Sequence, residues 1–272
     1  MPELPEVEWS RRLIARHALG RAVREVALVD AAVVRAGLST RPGDADPRAV
    51  ARVETLVGDR TEGLDRHGKR LLWRFGRSAW LVHLGMTGSW TVGERPRFAR
   101  FGLGFDEGWL WFADARRFGA IAWVQPEVGP LALRAGHGPD GLDEPMDGPA
   151  LQARLSGRRP VKVALMDPSV IAGLGNIHAV EILFELGLSP ERPCDRLTPA
   201  EVSALAAEIP RWLAGQVSAL CAEDSLVYVN AGGENTFRVY GREGQPCPRC
   251  GGGITRATHG GRSTFWCTTC QG

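Results

Sequence analysis

Between residues 4 and 20 apolar side chains recur at helical spacing, with Trp9, Leu13 and Ile14 on one stripe and Arg11, Arg12 and Arg16 towards the C-terminal half. Pro5 suits a first-turn position and Gly20 a C-terminal cap, so the pattern predicts a helix packed on a sheet. From Ala22 to about Val124 the period falls to two. Short runs at Val23–Val29, Leu71–Phe75, Ala79–Leu84, Gly88–Val92, Leu103–Phe105, Trp109–Phe112 and Ala120–Val124 alternate with glycine-rich punctuation, which predicts a β-sandwich or barrel. Gln125–Pro149 is rich in Pro, Gly and Asp and reads as a linker. Helical spacing returns in Ala150–Leu155, Val161–Met166, Asn176–Leu186 and Pro199–Leu220, the last with Thr198 as N-cap, Pro199 at the first position and Glu201 at the third. The fold class is therefore α+β in two domains: a helix and β-sandwich over 1–125, a linker over 126–149, a helical domain over 150–236 and a cysteine-bearing module over 237–272. Two domains on a linker are expected to form a cleft, a common place for a ligand.

The 272 residues suffice for two domains with a sizeable core, and 44% hydrophobic with 24% charged residues is ordinary for a globular chain. No apolar run is long enough to span a bilayer, and an acidic, proline-punctuated start is unlike a signal peptide. A cytoplasmic location is expected. The formal net charge of +2 is too small to announce a nucleic-acid partner, so the distribution of charge matters more. Arginines cluster at Arg66–Arg70, Arg95–Arg100, Arg116–Arg117, Arg154–Lys162 and from Arg238 onward; each alone also reads as a solvated face. Only two lysines, Lys69 and Lys162, occur among the 33 basic residues. A retained lysine can mark a site that needs a compact ammonium, although two cases also fit chance.

Three stretches carry chemistry. Met1-Pro2-Glu3-Leu4-Pro5-Glu6 exposes a proline secondary amine once Met1 is removed, and an α-amino pKa of ~8 leaves part of it unprotonated at neutral pH. Such an amine attacks an aldehyde-like carbon to give an iminium, with Glu3 and Glu6 suited to moving protons nearby. The structural alternative makes Pro5 a helix-starting proline and the glutamates dipole partners. The turn from Ile171 to Glu181, with Gly173 and Gly175, opens into a helix; it fits either a phosphate site with Asn176 as cap or donor, or a tight inter-helix turn. The most specific spacing is Cys247-x-x-Cys250, sixteen residues, then Cys267-x-x-Cys270, which matches one structural four-thiolate zinc site. Between the knuckles, Ile254–Thr258 and Ser263–Trp266 are expected to pair as a hairpin that projects Arg262. Cys194 and Cys221 are left as free thiols.

With these residues laid out, the whole chain resembles the formamidopyrimidine-DNA glycosylase and endonuclease VIII family of base-excision repair enzymes. The resemblance is carried by Pro2–Glu8, His67–Leu72, His83–Gly88, Asp114–Gly119, Gly173–Glu181, Val239–Arg242 and the four-cysteine finger ending at Gln271. It implies a bifunctional glycosylase and abasic-site lyase acting on damaged double-stranded DNA as a monomer, with a helix-two-turns-helix motif and a zinc ribbon. Pro2 would attack the sugar C1′, Glu3 would move protons, Glu6 would organise the site, and β- and δ-elimination would follow. Lys69 would contact phosphate, and Lys162, which precedes the helix-two-turns-helix motif, would belong to the DNA-binding set. Asn176 and Arg262 would grip phosphates from the two sides of the cleft, with His83 and Tyr240 as further contacts. Met86, Arg116 and Phe118 would fill the space of an extruded base. The segment Asn230–Arg238 is several residues shorter than the family's lesion-capping loop. The Leu4 start favours the oxidised-purine branch, and the short loop leaves oxidised pyrimidines open. Two rivals are a zinc-ribbon DNA binder without chemistry, which leaves Pro2-Glu3 unexplained, and an enzyme acting on a small carbonyl compound, which leaves the finger idle.

Overall fold

Helix α1 (Leu4–Ala18) starts where Pro5 cannot donate and where Glu3, the N-cap, closes a capping box with Glu6. Its stripe is buried: Ile14 is fully covered, Trp9 is buried and Leu13 packs at the margin of the core. The computed structural model describes residues 2–38, 43–222 and 234–272. These form two compact units, one running through Ala135 and the other starting at Gly136.

The first unit continues with β1 (Glu25–Leu28), α2 (Pro47–Val53), β2 (Thr61–His67), β3 (Arg70–Phe75), β4 (Ala79–His83), β5 (Ser89–Val92), β6 (Ala99–Phe105), β7 (Gly108–Ala113), β8 (Ala120–Val124) and α3 (Gly129–Arg134). The strands make two antiparallel four-stranded sheets, ordered β1-β6-β7-β5 and β2-β3-β4-β8. Their inner faces share one core, in which Trp73 of β3 meets Trp90 of β5 edge-on at 5.5 Å and Trp90 meets Phe112 of β7 at 5.3 Å. Trp90 is only 1% exposed, so its truncation to alanine should cost about 3–5 kcal/mol. Strand β2 was not expected from the sequence. Its run TEGLDRH breaks the hydrophobic alternation with a bulge between Thr61 and Gly63, yet tertiary pairing with β3 makes it a strand.

The second unit holds α4 (Gly148–Gln152), α5 (Val161–Leu165), α6 (Asn176–Glu185), α7 (Pro199–Cys221), β9 (Thr255–His259) and β10 (Arg262–Trp266). Helix α7 begins with the expected box, in which Thr198 Oγ1 accepts from Glu201 N at 3.3 Å and Thr198 N donates to Glu201 Oε2 at 2.7 Å. The stretch read as a linker contains α3 and the start of α4, with the boundary between units falling inside it at Ala135. Pro130 and Pro149 sit in the first turns of these two helices, where a missing donor does no harm.

Candidate active site and nucleic-acid interface

Pro2 is buried and leads directly into the capped start of α1. Glu3 is fully covered, and its amide donates to Glu6 Oε2 at 2.9 Å, so Glu6 clamps the backbone next to the proline. Met1 lies outside the described residues. Lys69 is half-buried in the turn between β2 and β3, where His67 pairs with Arg70. A charge cluster braces that turn. Buried Glu8 receives Arg11 at 2.8 Å, Arg12 at 2.7 Å and Arg66 at 3.2 Å, and Arg66 Nη1 in turn donates to Gly68 O at 3.3 Å. Burial alone would raise the Glu8 carboxyl; hydrogen bonds from Arg11 and Arg12 and the charges of Arg11 and Arg66 outweigh it and bring it down to about 2. Glu8 was missed as a site residue, though an acid with arginines three and four positions on is a readable helix signal.

Met86, Arg116 and Phe118 sit on two loops that press together. Gly85 has φ +69°, and a side chain there would meet Gly119 N and Phe118 C at 2.4 Å, so only glycine permits this approach. Asp114, 1% exposed, organises both loops: it accepts from the Thr87 hydroxyl, from Arg116 N at 3.1 Å and from Gly119 N at 2.7 Å. Met86 and Phe118 are half-buried, and exposed Arg116 places its guanidinium 5.0 Å from the Phe118 ring centre. His83 Nδ1 accepts from Gly85 N at 2.9 Å, which leaves the proton of a neutral ring on Nε2. Asp114 opens the Asp114–Gly119 stretch, but its sequence context alone does not show this role.

In the second unit the structure revises three expectations. Gly175, not Asn176, is the N-cap of α6; Asn176 occupies the next position and its Nδ2 donates to Ser263 O at 2.8 Å. Asn176 and Arg262 therefore do not oppose each other across a cleft. They belong to one unit, and the residue after Arg262 is the one Asn176 holds. Lys162 on α5 is fully covered, so it offers no surface to a phosphate in this conformation. Arg262 is exposed at the start of β10, beyond a two-residue turn in which Gly260 and Gly261 take φ +56° and +72°. Tyr240 is half-buried, edge-on to Phe265 at 5.4 Å.

Glu181, the last residue of the Gly173–Glu181 stretch, carries no sequence signal for its role and is central to this unit. It is fully buried on α6, with Oε2 accepting from Arg238 N at 2.9 Å and Oε1 from Val239 N at 2.9 Å and Tyr240 N at 2.8 Å. One carboxylate thus anchors the segment that carries Tyr240. Of the shortened stretch Asn230–Arg238, residues 230–233 lie outside the described residues; Asn235 Nδ2 donates to Tyr240 O at 2.9 Å.

The four cysteines converge, with Cys247 and Cys270 sulfurs 3.8 Å apart, Cys250 and Cys267 3.5 Å apart, and all four within 4.8 Å. Zn–S bonds of about 2.3 Å in a tetrahedron require sulfurs about 3.8 Å apart, so the cluster fits one zinc ion with no open position. Contact with Cys250 and burial push the Cys270 thiol to about 12. Burial also raises Cys267, but backbone N–H groups of Cys270 and Thr269 and the neighbouring thiols bring it to about 7. A dication is what allows all four to be thiolates together. Arg249, between the first two cysteines, ties the knuckle to α6 by donating to Phe184 O at 2.7 Å and Glu185 O at 2.9 Å.

Comparison with known proteins agrees with this arrangement over the full length. Residues 1–121 match the "Formamidopyrimidine-DNA glycosylase N-terminal domain", 137–221 the "Formamidopyrimidine-DNA glycosylase H2TH domain" and 244–272 the "Zinc finger found in FPG and IleRS". The formamidopyrimidine-DNA glycosylases of Laribacter hongkongensis and Stenotrophomonas maltophilia are each 40% identical to it, with all of both chains covered. The MutM (Fpg) structure from Thermus thermophilus superposes with a TM-score of 0.80 at 35% identity, covering 99% of this chain and 98% of that one. Lactococcus lactis Fpg bound to DNA with an abasic site gives 0.86 at 26% identity, covering 99% of each. A chain related in this way along its entire length, with the same three modules in the same order, belongs to the formamidopyrimidine-DNA glycosylase family.

Proposed function

We propose that this chain is a bifunctional base-excision repair enzyme: it removes oxidised bases, formamidopyrimidine and 8-oxoguanine or related lesions, from duplex DNA and cuts the abasic strand by β,δ-elimination. Pro2, freed of Met1, attacks the sugar C1′ and expels the base. The resulting iminium acidifies the neighbouring carbon, Glu3 moves protons, and successive eliminations release the sugar from both phosphates. The observation that carries this reading is the buried Pro2 fixed against a helix start whose N-cap is Glu3, with Glu6 clamping the intervening backbone. Lys69, His83, Asn176, Tyr240 and Arg262 bind phosphates, and Met86, Arg116 and Phe118 fill the space of the extruded base, which offsets part of a flipping cost of a few kcal/mol. Relatives that bind N7-benzyl-Fapy-dG DNA and abasic-site DNA support the assignment. The protein works as a monomer in a bacterial-type cytoplasm; no helix among the described residues is long and apolar enough to cross a membrane.

Borohydride reduction in the presence of abasic duplex tests the reading. A covalent protein–DNA adduct is expected, reduced at least tenfold in Pro2→Gly while DNA affinity stays within about threefold. Salt-sensitive binding without an adduct would favour a non-catalytic binder. Adducts formed as readily by a preparation that retains Met1 would rule out the proline amine.

A further inference from the structure

Arg117 stands between two of the side chains assigned to fill the vacated space, and its backbone is left-handed, with φ +59°. Among the described residues only Phe98 is another non-glycine in that region. Contact between Cβ and the following carbonyl disfavours it for an L-residue, so the surroundings must hold it there. The side chains on either side of it meet, with the Arg116 guanidinium 5.0 Å from the Phe118 ring centre. Asp114 fixes the loop on either side, through Arg116 N and Gly119 N, but makes no such bond to Arg117.

The residue that holds Arg117 comes from elsewhere in the chain. Arg35 is 5% exposed, and its Nη2 donates to Arg117 O at 2.8 Å. Arg35 is itself pinned, with Nε donating to Ala32 O at 3.0 Å and its amide to Ile121 O of β8 at 2.9 Å. Asp30 adds a second tie, meeting Arg117 Nε and Arg100 Nη1 at 3.3 Å each, while Arg100 Nε donates to Asp114 O at 2.9 Å. Packing alone would not call for a covered guanidinium here, because an apolar side chain fills space without the desolvation cost.

We propose that Arg35 is a positioning residue for base extrusion: by holding the Arg117 carbonyl it keeps Arg116 and Phe118 stacked and aimed before DNA arrives. This rests on the void-filling reading given above. The test measures, for one protein preparation, single-turnover excision of formamidopyrimidine opposite cytosine, nicking of an abasic duplex, and fluorescence of 2-aminopurine placed beside the lesion. Arg35→Met should slow excision roughly fivefold to thirtyfold, the rate equivalent of the left-handed penalty that is no longer compensated, and delay the fluorescence change in parallel. Nicking of the abasic duplex, which has no base to extrude, should change less than twofold. Glycine adopts the left-handed region freely, so Arg117→Gly added to Arg35→Met should restore most of the excision rate. Arg117→Val, at an exposed position, opposes the same geometry without opening the core and should reproduce the loss even if Arg35→Met folds poorly. Excision within twofold of wild type in Arg117→Val and in folded Arg35→Met would overturn the proposal. So would equal loss of excision and nicking without rescue by glycine. Phe118→Ala separates the two levels: if it slows excision while Arg35→Met does not, only the role of Arg35 falls, whereas unimpaired Phe118→Ala removes the void-filling reading and this one with it.

Discussion

Replacing Glu8 by glutamine should cost the first unit about 3 kcal/mol at pH 7, and the cost should fade in acid. The carboxyl is buried among Arg11, Arg12 and Arg66, which lower it from its ordinary 4.5 to about 2. An acid stabilised in its charged form contributes fully above its unfolded value and loses that contribution as pH falls towards the folded one. The displacement corresponds to about 3 kcal/mol above pH 4.5 and to about 1 kcal/mol at pH 3. Glutamine carries no charge to lose, so the gap between the two proteins should narrow over that window. Urea unfolding followed by tryptophan fluorescence reports on this unit, since seven of the nine tryptophans lie before residue 136. Because Arg66 also braces Gly68, the substitution should loosen the Lys69 turn and so weaken the phosphate contact proposed for Lys69. A difference below about 0.5 kcal/mol at pH 7, or one that does not shrink by pH 3, would show that the three arginines do not hold this carboxylate.

Glu181→Gln leaves one oxygen for three amides and turns an NH2 group towards a backbone donor, so it should destabilise the second unit by about 2–4 kcal/mol; hydrogen exchange at Val239 and Tyr240 checks this, and unchanged protection would count against the anchor. Cys247→Ser should lower zinc content and DNA affinity together, by at least tenfold in affinity, while the first unit keeps its melting behaviour; metal analysis alongside binding isotherms decides it. The shortened Asn230–Arg238 segment should reduce discrimination for 8-oxoguanine, by about fivefold for each hydrogen bond lost, relative to formamidopyrimidine and 5-hydroxycytosine. Single-turnover excision of all three lesions in one duplex context measures it, and a strong preference for 8-oxoguanine would refute it.

Local chemistry was legible in the sequence. The capping box at Thr198, the helical stripe of α1, the alternating strands and the paired Cys-x-x-Cys knuckles depend on residues a few positions apart, and short-range spacing is what a linear sequence displays. Strand β2 was not legible, because its residues become a strand only when β3 supplies hydrogen bonds and a covered face. The same holds for the contacts that position the site. Glu181 reaches amides 57 to 59 residues away, Arg35 a carbonyl 82 away, and Asn176 a carbonyl 87 away. In the sequence each of these is an isolated polar residue with several possible partners. Burial decides among them, since a covered carboxylate, guanidinium or amide must find specific acceptors or donors, and only the folded chain determines which ones lie within reach. Lys162 shows the converse: its rarity marked it, but whether it faces solvent or the core is a property of packing that composition does not contain.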